Sequence, residues 1–324
     1  MNRVDVIEAF ARTWLETPDG QRIYLEQSGN PKGIPVIYCH GGPGGGSSPF
    51  HRQLFDPALY HIIIFDQRGC GLSTPALQLE NNSTQDLIAD MELIRHNLSL
   101  SQWVVAGGSW GSTLALAYGQ AYPQHCLGFI LRGIFLGREQ DIDWLYRAEG
   151  GASQVFPDYY QDFIKPVAEF PQLDILQAYQ LLLHHKDQAI RLQAALAWSI
   201  WESRIATLLP NEFALGGEMD AESALALALI EHHYFMHQCF FEPDQLLKSL
   251  HKISHLPCQI VHGRYDMVCK AENAYSLASR WPGAQLNWVV DAGHSASEDG
   301  IAKTLYRASQ VMAELLDVKD LKAV

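Results

Sequence analysis

A serine with glycine two positions to either side stands in Gly107-Gly108-Ser109-Trp110-Gly111. A serine hydroxyl is a weak nucleophile at neutral pH. Activating it takes a base, a carboxylate to orient that base, and donors for the oxyanion that develops. The flanking glycines suit a sharp strand-to-helix turn that lifts the hydroxyl above a sheet and aims a helix N-terminus at it. The apolar run Trp103–Ala106 before the motif and the helical pattern from Ser112 after it supply that setting. Ser109 is therefore read as the nucleophile of a serine hydrolase.

In such a setting the partners follow in the order Ser, Asp or Glu, His. His294 follows the last strand, in Asp291-Ala292-Gly293-His294. Asp266 follows the strand before it, in His262-Gly263-Arg264-Tyr265-Asp266. Of the 14 histidines, His40 and His262 also follow strands, but only His294 comes after both a late strand and a candidate acid. Asp291 is the rival acid. The run His40-Gly41-Gly42-Pro43-Gly44-Gly45-Gly46, directly after the strand Pro35–Cys39, suits close approach of backbone N–H groups to an oxyanion. Gly42 is the first choice there and Gly41 the next, with Trp110 supplying the second N–H. The run lacks the spacing of a phosphate loop. Asp66-Gln67-Arg68-Gly69-Cys70-Gly71 reads as a turn that buttresses the site through Asp66 and Arg68.

The elements that must position these residues alternate. A hairpin is predicted over Thr13–Thr17 and Gln21–Gln27, turning at Pro18-Asp19-Gly20. Pro35–Cys39 and His61–Phe65 are continuous apolar runs, the mark of strands covered on both faces. Helix is expected over Thr84–Leu98, strand over Trp103–Ala106, helix over Ser112–Tyr122 and strand over Cys126–Leu131. This rhythm implies a mostly parallel sheet with helices on both faces. From Gly137 to Leu250 the pattern is helical only, and it then resumes at Cys258–His262, Glu272–Trp281, Leu286–Val290 and Ile301–Leu316. The organisation expected is one α/β domain, residues 1–136 and 251–324, carrying a helical cap domain over 137–250.

Composition excludes several classes. In 324 residues, 48% are hydrophobic and 18% charged, the balance of a folded protein rather than a disordered one. The net charge is −13, with no basic stripe, so nucleic acid is a poor partner. No run is apolar for long enough to span a membrane, and Met1-Asn2-Arg3-Val4-Asp5 lacks the apolar core of a signal peptide. Six scattered cysteines read as reduced, buried thiols of a cytoplasmic protein.

With these residues in place, the sequence resembles the proline iminopeptidase (prolyl aminopeptidase) family of α/β-hydrolases from about Gln21 to Ala313. The matching segments are HGGPGGG (40–46), HRQLFDP (51–57), FDQRGCG (65–71), GGSWGSTLALAYGQ (107–120), LRGIF (131–135), HGRYDMVC (262–269) and AGHS (292–295). The resemblance implies an α/β-hydrolase fold with an inserted helical cap, and release of N-terminal proline from small peptides without cofactor or metal. It also implies Ser109 as nucleophile, His294 as base and Asp266 as its partner. Two cap carboxylates would read the free substrate amine: Glu202 in Ala197-Trp198-Ser199-Ile200-Trp201-Glu202 and Glu231 in Ile230-Glu231-His232. The alternative for each is a structural ion pair or a solvated helix edge, but the apolar run Ala224–Ile230 ends in a carboxylate that must find a partner, and a bound ammonium could be that partner. Trp201, Tyr234 and Phe235 are candidates to pack the pyrrolidine ring, or else cap core. The chain departs from the family where glycine and a small or acidic residue usually follow the first glutamate. Here Ser203-Arg204 stand, and a guanidinium turned toward Glu202 would neutralise it. The rival activity on the same scaffold is an esterase or amidase acting on substrates without a free amine.

Overall fold

The computed structural model describes residues 7–213 and 216–322. Eight strands form one sheet among the described residues: β1 (Ala9–Glu16), β2 (Arg22–Gly29), β3 (Ile34–Cys39), β4 (Tyr60–Phe65), β5 (Trp103–Ser109), β6 (Cys126–Ile134), β7 (Cys258–Gly263) and β8 (Ala284–Val289). Their order is β1-β2-β4-β3-β5-β6-β7-β8. β1, β2 and β4 pair antiparallel, and every pairing from β4 through β3 to β8 is parallel.

The apolar runs work as two-faced strands. In β3, Ile37 and Cys39 join one core cluster while Val36 and Tyr38 join the other. In β4 the same split separates Ile63 and Phe65 from Ile62 and Ile64. One face is covered by α1 (Thr84–Asn97) and α2 (Trp110–Ala121), through Leu87, Met91, Ile94 and Leu114. The opposite face is covered by the last helix, through Ile301, Leu305 and Met312.

Between β6 and β7 the elements are helical. They are α3 (Glu139–Tyr146), α4 (Gly151–Val155), α5 (Pro157–Ile164), α6 (Ile175–Leu183), α7 (Gln188–Ile205), α8 (Ala221–Met236) and α9 (Gln245–Lys248). α10 (Ala271–Ser279) then links β7 to β8, and α11 (Asp299–Lys322) closes the chain.

Strand β5 reaches Ser109 rather than stopping at Ala106. Gly107 and Gly108 stay in the ladder opposite Leu131 and Arg132, so residues that read as a turn extend the strand. β6 likewise continues to Ile134, and α2 starts directly after the serine. The chain order reverses around β3, which lies between β4 and β5. The C-terminal ends of β3 and β5 therefore border the crevice where open α/β sheets place their ligands.

Candidate active site

Ser109 is the last residue of β5 and the cap of α2, at φ 59° and ψ −128°. Few residues other than glycine adopt that conformation, and it persists only where the surroundings enforce it. Here they do. At Gly111 a Cβ would collide with the Cys39 carbonyl at the end of β3, so the turn closes only around hydrogen. Ser112 Oγ donates to Ser109 O (2.7 Å) and accepts from the Phe135 amide (3.2 Å), stitching the first turn of α2 to the residues after β6. Trp110 Nε1 donates to Gln67 Oε1 (2.8 Å), and Gln67 Nε2 donates to His40 O (2.9 Å). One neutral amide thus ties together the loops after β3, β4 and β5.

Asp66 accepts from the Ser47 (2.7 Å) and Leu72 (2.8 Å) amides and so shapes both neighbouring loops. Arg68 instead forks onto Asp90 of α1 (2.7 and 2.8 Å) and reaches Asp19 in the β1–β2 turn (2.5 Å).

His294 Nδ1 lies 2.7 Å from Asp266 Oδ2, so its N–H points at a carboxylate. The second Asp266 oxygen accepts from the amides of Val268 (3.0 Å) and Cys269 (2.7 Å). Burial pushes the Asp266 carboxyl up, but the electrostatic attraction and hydrogen bond of the His294 N–H, with His262 and the Cys269 amide, outweigh it. The group stays below its ordinary pKa and ionised. Asp291, the rival acid, is exposed.

The other two strand-end histidines have structural work. His40 Nδ1 donates to Gly41 O (2.8 Å) and Nε2 accepts from the Gln67 amide (3.0 Å). His262 Nε2 donates to Cys269 O (2.9 Å) and Nδ1 accepts from the Ile134 amide (3.1 Å). Burial lowers the pKa of both, which suits neutral rings held in one tautomer.

Arg132, inside the segment LRGIF, went unread in the sequence. It is 8% exposed, and its Nη1 lies 3.0 Å from both His294 Nε2 and His294 O. The imidazole lone pair thus faces Arg132 in this arrangement. The Ser109 hydroxyl sits 3.9 Å from Cys269 Sγ.

The glycine run after β3 touches both the nucleophile and the inserted helices. A Cβ on Gly41 would sit 3.4 Å from Ser109 Cβ, so this backbone runs directly alongside the serine. At Gly44 a Cβ would meet Ala226 O at 2.6 Å and Ile230 Cβ at 3.0 Å, both on α8. Only a bare backbone lets α8 approach this closely. Gly42 lies between these contacts, and Trp110 begins α2 with its N–H at the helix N-terminus.

Glu202 on α7 and Glu231 on α8 are brought together beneath a stack of rings. Tyr146 and Trp198 stack with centroids 4.4 Å apart. The Tyr146 hydroxyl donates to Glu202 Oε1, and Trp198 Nε1 donates to Glu231 Oε2 (2.7 Å). Burial pushes both carboxyls up. Glu231 rises well above its ordinary value because the Glu202 charge adds to its burial.

Arg204 points elsewhere. Helix α7 continues to Ile205, so a residue two positions on from Glu202 leaves from another face. Its guanidinium pairs with Asp162 (2.6 Å), donates to Phe213 O (3.2 Å) and lies over the Tyr159 ring.

Of the three aromatic candidates, Phe235 packs against Tyr146 (5.6 Å) and Phe135 (5.8 Å), next to the carboxylate pair. Trp201 stacks on Phe163 and spends its N–H on Leu145 O (3.1 Å). Tyr234 turns toward α2, edge-on to Trp110 (4.8 Å), with its hydroxyl on Asn82 Oδ1 (2.9 Å).

Comparison with known proteins agrees with this architecture. The family model described as the alpha/beta hydrolase fold matches residues 34–301. A proline iminopeptidase of Arabidopsis thaliana is 45% identical over 312 residues, covering 96% of this chain and 82% of that protein. One from Neisseria gonorrhoeae is 43% identical over 305 residues, covering 94% and 96%. Among solved structures, the proline iminopeptidase of Mycobacterium smegmatis aligns over 97% of this chain and 100% of that one, with a TM-score of 0.61 at 16% identity. An esterase from Rhodococcus sp. ECU1013 gives a TM-score of 0.62 at 16% identity over 96% and 99%. These last two likenesses concern the fold.

Proposed function

Since the chain belongs to the proline iminopeptidase family of α/β-hydrolases, we propose a route by which this prolyl aminopeptidase releases N-terminal proline from small peptides. The observation that carries the reading is the pairing of two half-sites. Ser109 and the hydrogen-bonded His294–Asp266 pair lie at strand ends, and Glu202 and Glu231, free of any ion pair among the described residues, lie on α7 and α8.

The substrate's secondary ammonium sits between Glu202 and Glu231, with the pyrrolidine ring against Phe235, Phe135 and Tyr146. Trp201 and Tyr234 support that pocket from behind. Ser109 Oγ attacks the prolyl carbonyl while His294 Nε2, having exchanged Arg132 for the hydroxyl, takes its proton. The Trp110 and Gly42 N–H groups hold the oxyanion, where fixed donors at a helix N-terminus act most strongly. Collapse of the tetrahedral adduct returns the proton to the leaving amine. Water then attacks the prolyl ester with His294 again as base, and free proline departs. Asp266 holds the Nδ1–H tautomer and stabilises the imidazolium at each stage.

The helical segment over 137–250 acts as the cap that dictates which amines enter. Six buried, unpaired cysteines favour a cytoplasmic location, and no helix among the described residues is long and apolar enough to cross a membrane.

A prolyl diaryl phosphonate with a free amine tests nucleophile and amine pocket together. The expected result is one covalent adduct on the peptide that contains Ser109, formed at least about tenfold faster than with the N-acetylated reagent, in line with loss of one charge-assisted contact. Equal labelling by both reagents would remove the amine pocket from the account, and labelling elsewhere would remove Ser109.

A further inference from the structure

The Glu202–Glu231 pair carries an inference about protons, which rests on its reading as the amine site. We propose that before substrate arrives the two carboxyls hold one proton between them, and that the incoming ammonium displaces it to solvent.

Three observations support this. First, Lys, Arg and His side chains form no ion pair with either carboxyl among the described residues. The nearest sequence neighbours are directed elsewhere: Arg204 engages Asp162, and His232 Nε2 donates to Leu176 O (2.8 Å). Burial also lowers the His232 pKa to about 4, so it brings no charge to the pair. Second, the rings that donate to the two carboxyls, Tyr146 and Trp198, stack 4.4 Å apart, which holds Glu202 and Glu231 close enough for the charge of one to push the other up. Carboxylates only accept, so two ionised groups held together offer each other nothing, whereas one that keeps its proton can donate. Third, the other donors are neutral and local: Tyr146 from α3 on Glu202 and Trp198 from α7 on Glu231. Cys269 from the loop after β7, a further titratable neighbour of Tyr146, has its thiol held protonated by burial. Among the described residues nothing facing the pair neutralises a second negative charge, and two carboxylates held together, one buried and one half-buried, do not both ionise.

A bound secondary ammonium changes the arithmetic. It brings one positive charge and two N–H donors, one for each carboxylate. The shared proton then has no acceptor left, and the pair passes from net −1 to net −2 against the ligand's +1. One proton leaves for each amine bound. Where the pair holds that proton, apparent affinity for a charged amine rises about tenfold per pH unit, the slope set by one proton exchanged.

Calorimetric titration of the full-length Ser109→Ala variant with L-prolinamide at pH 7, in buffers of different ionisation enthalpy, reads the proton count directly. The expected result is close to one proton released per prolinamide bound, falling to near zero when Glu231→Gln is added. Binding with no dependence on buffer would overturn the shared proton while leaving the amine site intact. Failure of prolinamide to bind, with N-acetylprolinamide equally inert, would overturn the amine site and this inference with it.

Discussion

Replacing Ser109 with alanine is expected to lower kcat toward proline 4-nitroanilide by about 10⁴-fold or more, the scale seen when the nucleophile of a Ser-His-Asp set is removed. The fold should not register the change. Ser109 is only partly buried, and its hydroxyl has a long contact to Cys269 Sγ rather than a bond on which a buried group depends. The turn geometry is enforced by the Gly111 contact and the Ser112 bridges, all of which survive the substitution. The midpoint of thermal unfolding should therefore stay within the range of a surface change, about 0.5 kcal/mol. Steady-state rates beside a melting curve check both halves. Retained turnover would move the nucleophile elsewhere, and a large fall in Tm would make the loss of rate uninformative about chemistry.

Replacing Glu231 with glutamine should lower kcat/KM on free prolyl substrates by about 10²- to 10³-fold, through loss of one partner of a buried, hydrogen-bonded charge pair. The same change should stabilise the enzyme. Burial and the Glu202 charge hold the Glu231 carboxyl well above its ordinary value, so the folded state binds a proton that the unfolded chain has released. Stability of the native enzyme then falls as pH rises from the unfolded value, about 4.3, toward the raised folded one. The amide has no such slope and still accepts from Trp198. Melting curves between pH 5 and 8.5 should accordingly show the variant gaining on the parent as pH rises. A variant that melts lower at pH 8 and keeps full kcat/KM would contradict both the electrostatics and the assignment.

What was legible in the sequence follows from where chemistry constrains residue type. Ser109, Asp266, His294 and the glycine run lie at strand ends because a nucleophile, a base and backbone donors converge only there. Their positions were readable from alternating apolar runs and turn residues. Glu202 and Glu231 stood out only through the family resemblance, since a glutamate on a helix has many ordinary roles.

The unread residues share a physical reason. Gln67 bridges three loops, Arg132 meets a histidine 162 residues away, and Tyr146 reaches a glutamate 56 residues away. A neutral amide, a strand arginine and a helix tyrosine carry no local pattern that announces such contacts. The position of Arg204 turned on the length of α7. Had the helix ended at Glu202, the guanidinium would have been free to swing toward the carboxylate. Because α7 continues to Ile205, Arg204 leaves toward Asp162. The extra length of β5 was hidden for the opposite reason, as glycines that usually signal a turn here keep their ladder pairing until the serine.

The central claim is that one site joins a serine hydrolase to a reader of free secondary amines. Initial rates on proline 4-nitroanilide, its N-acetylated form and 4-nitrophenyl acetate, with Ser109→Ala as the blank, test it most directly. The account predicts strong preference for the free anilide over the acetylated one, by about 10²-fold or more for a buried charge contact, and loss of all three activities in the blank. Equal rates on the free and acetylated anilides, or cleavage of the activated ester alone, would contradict it.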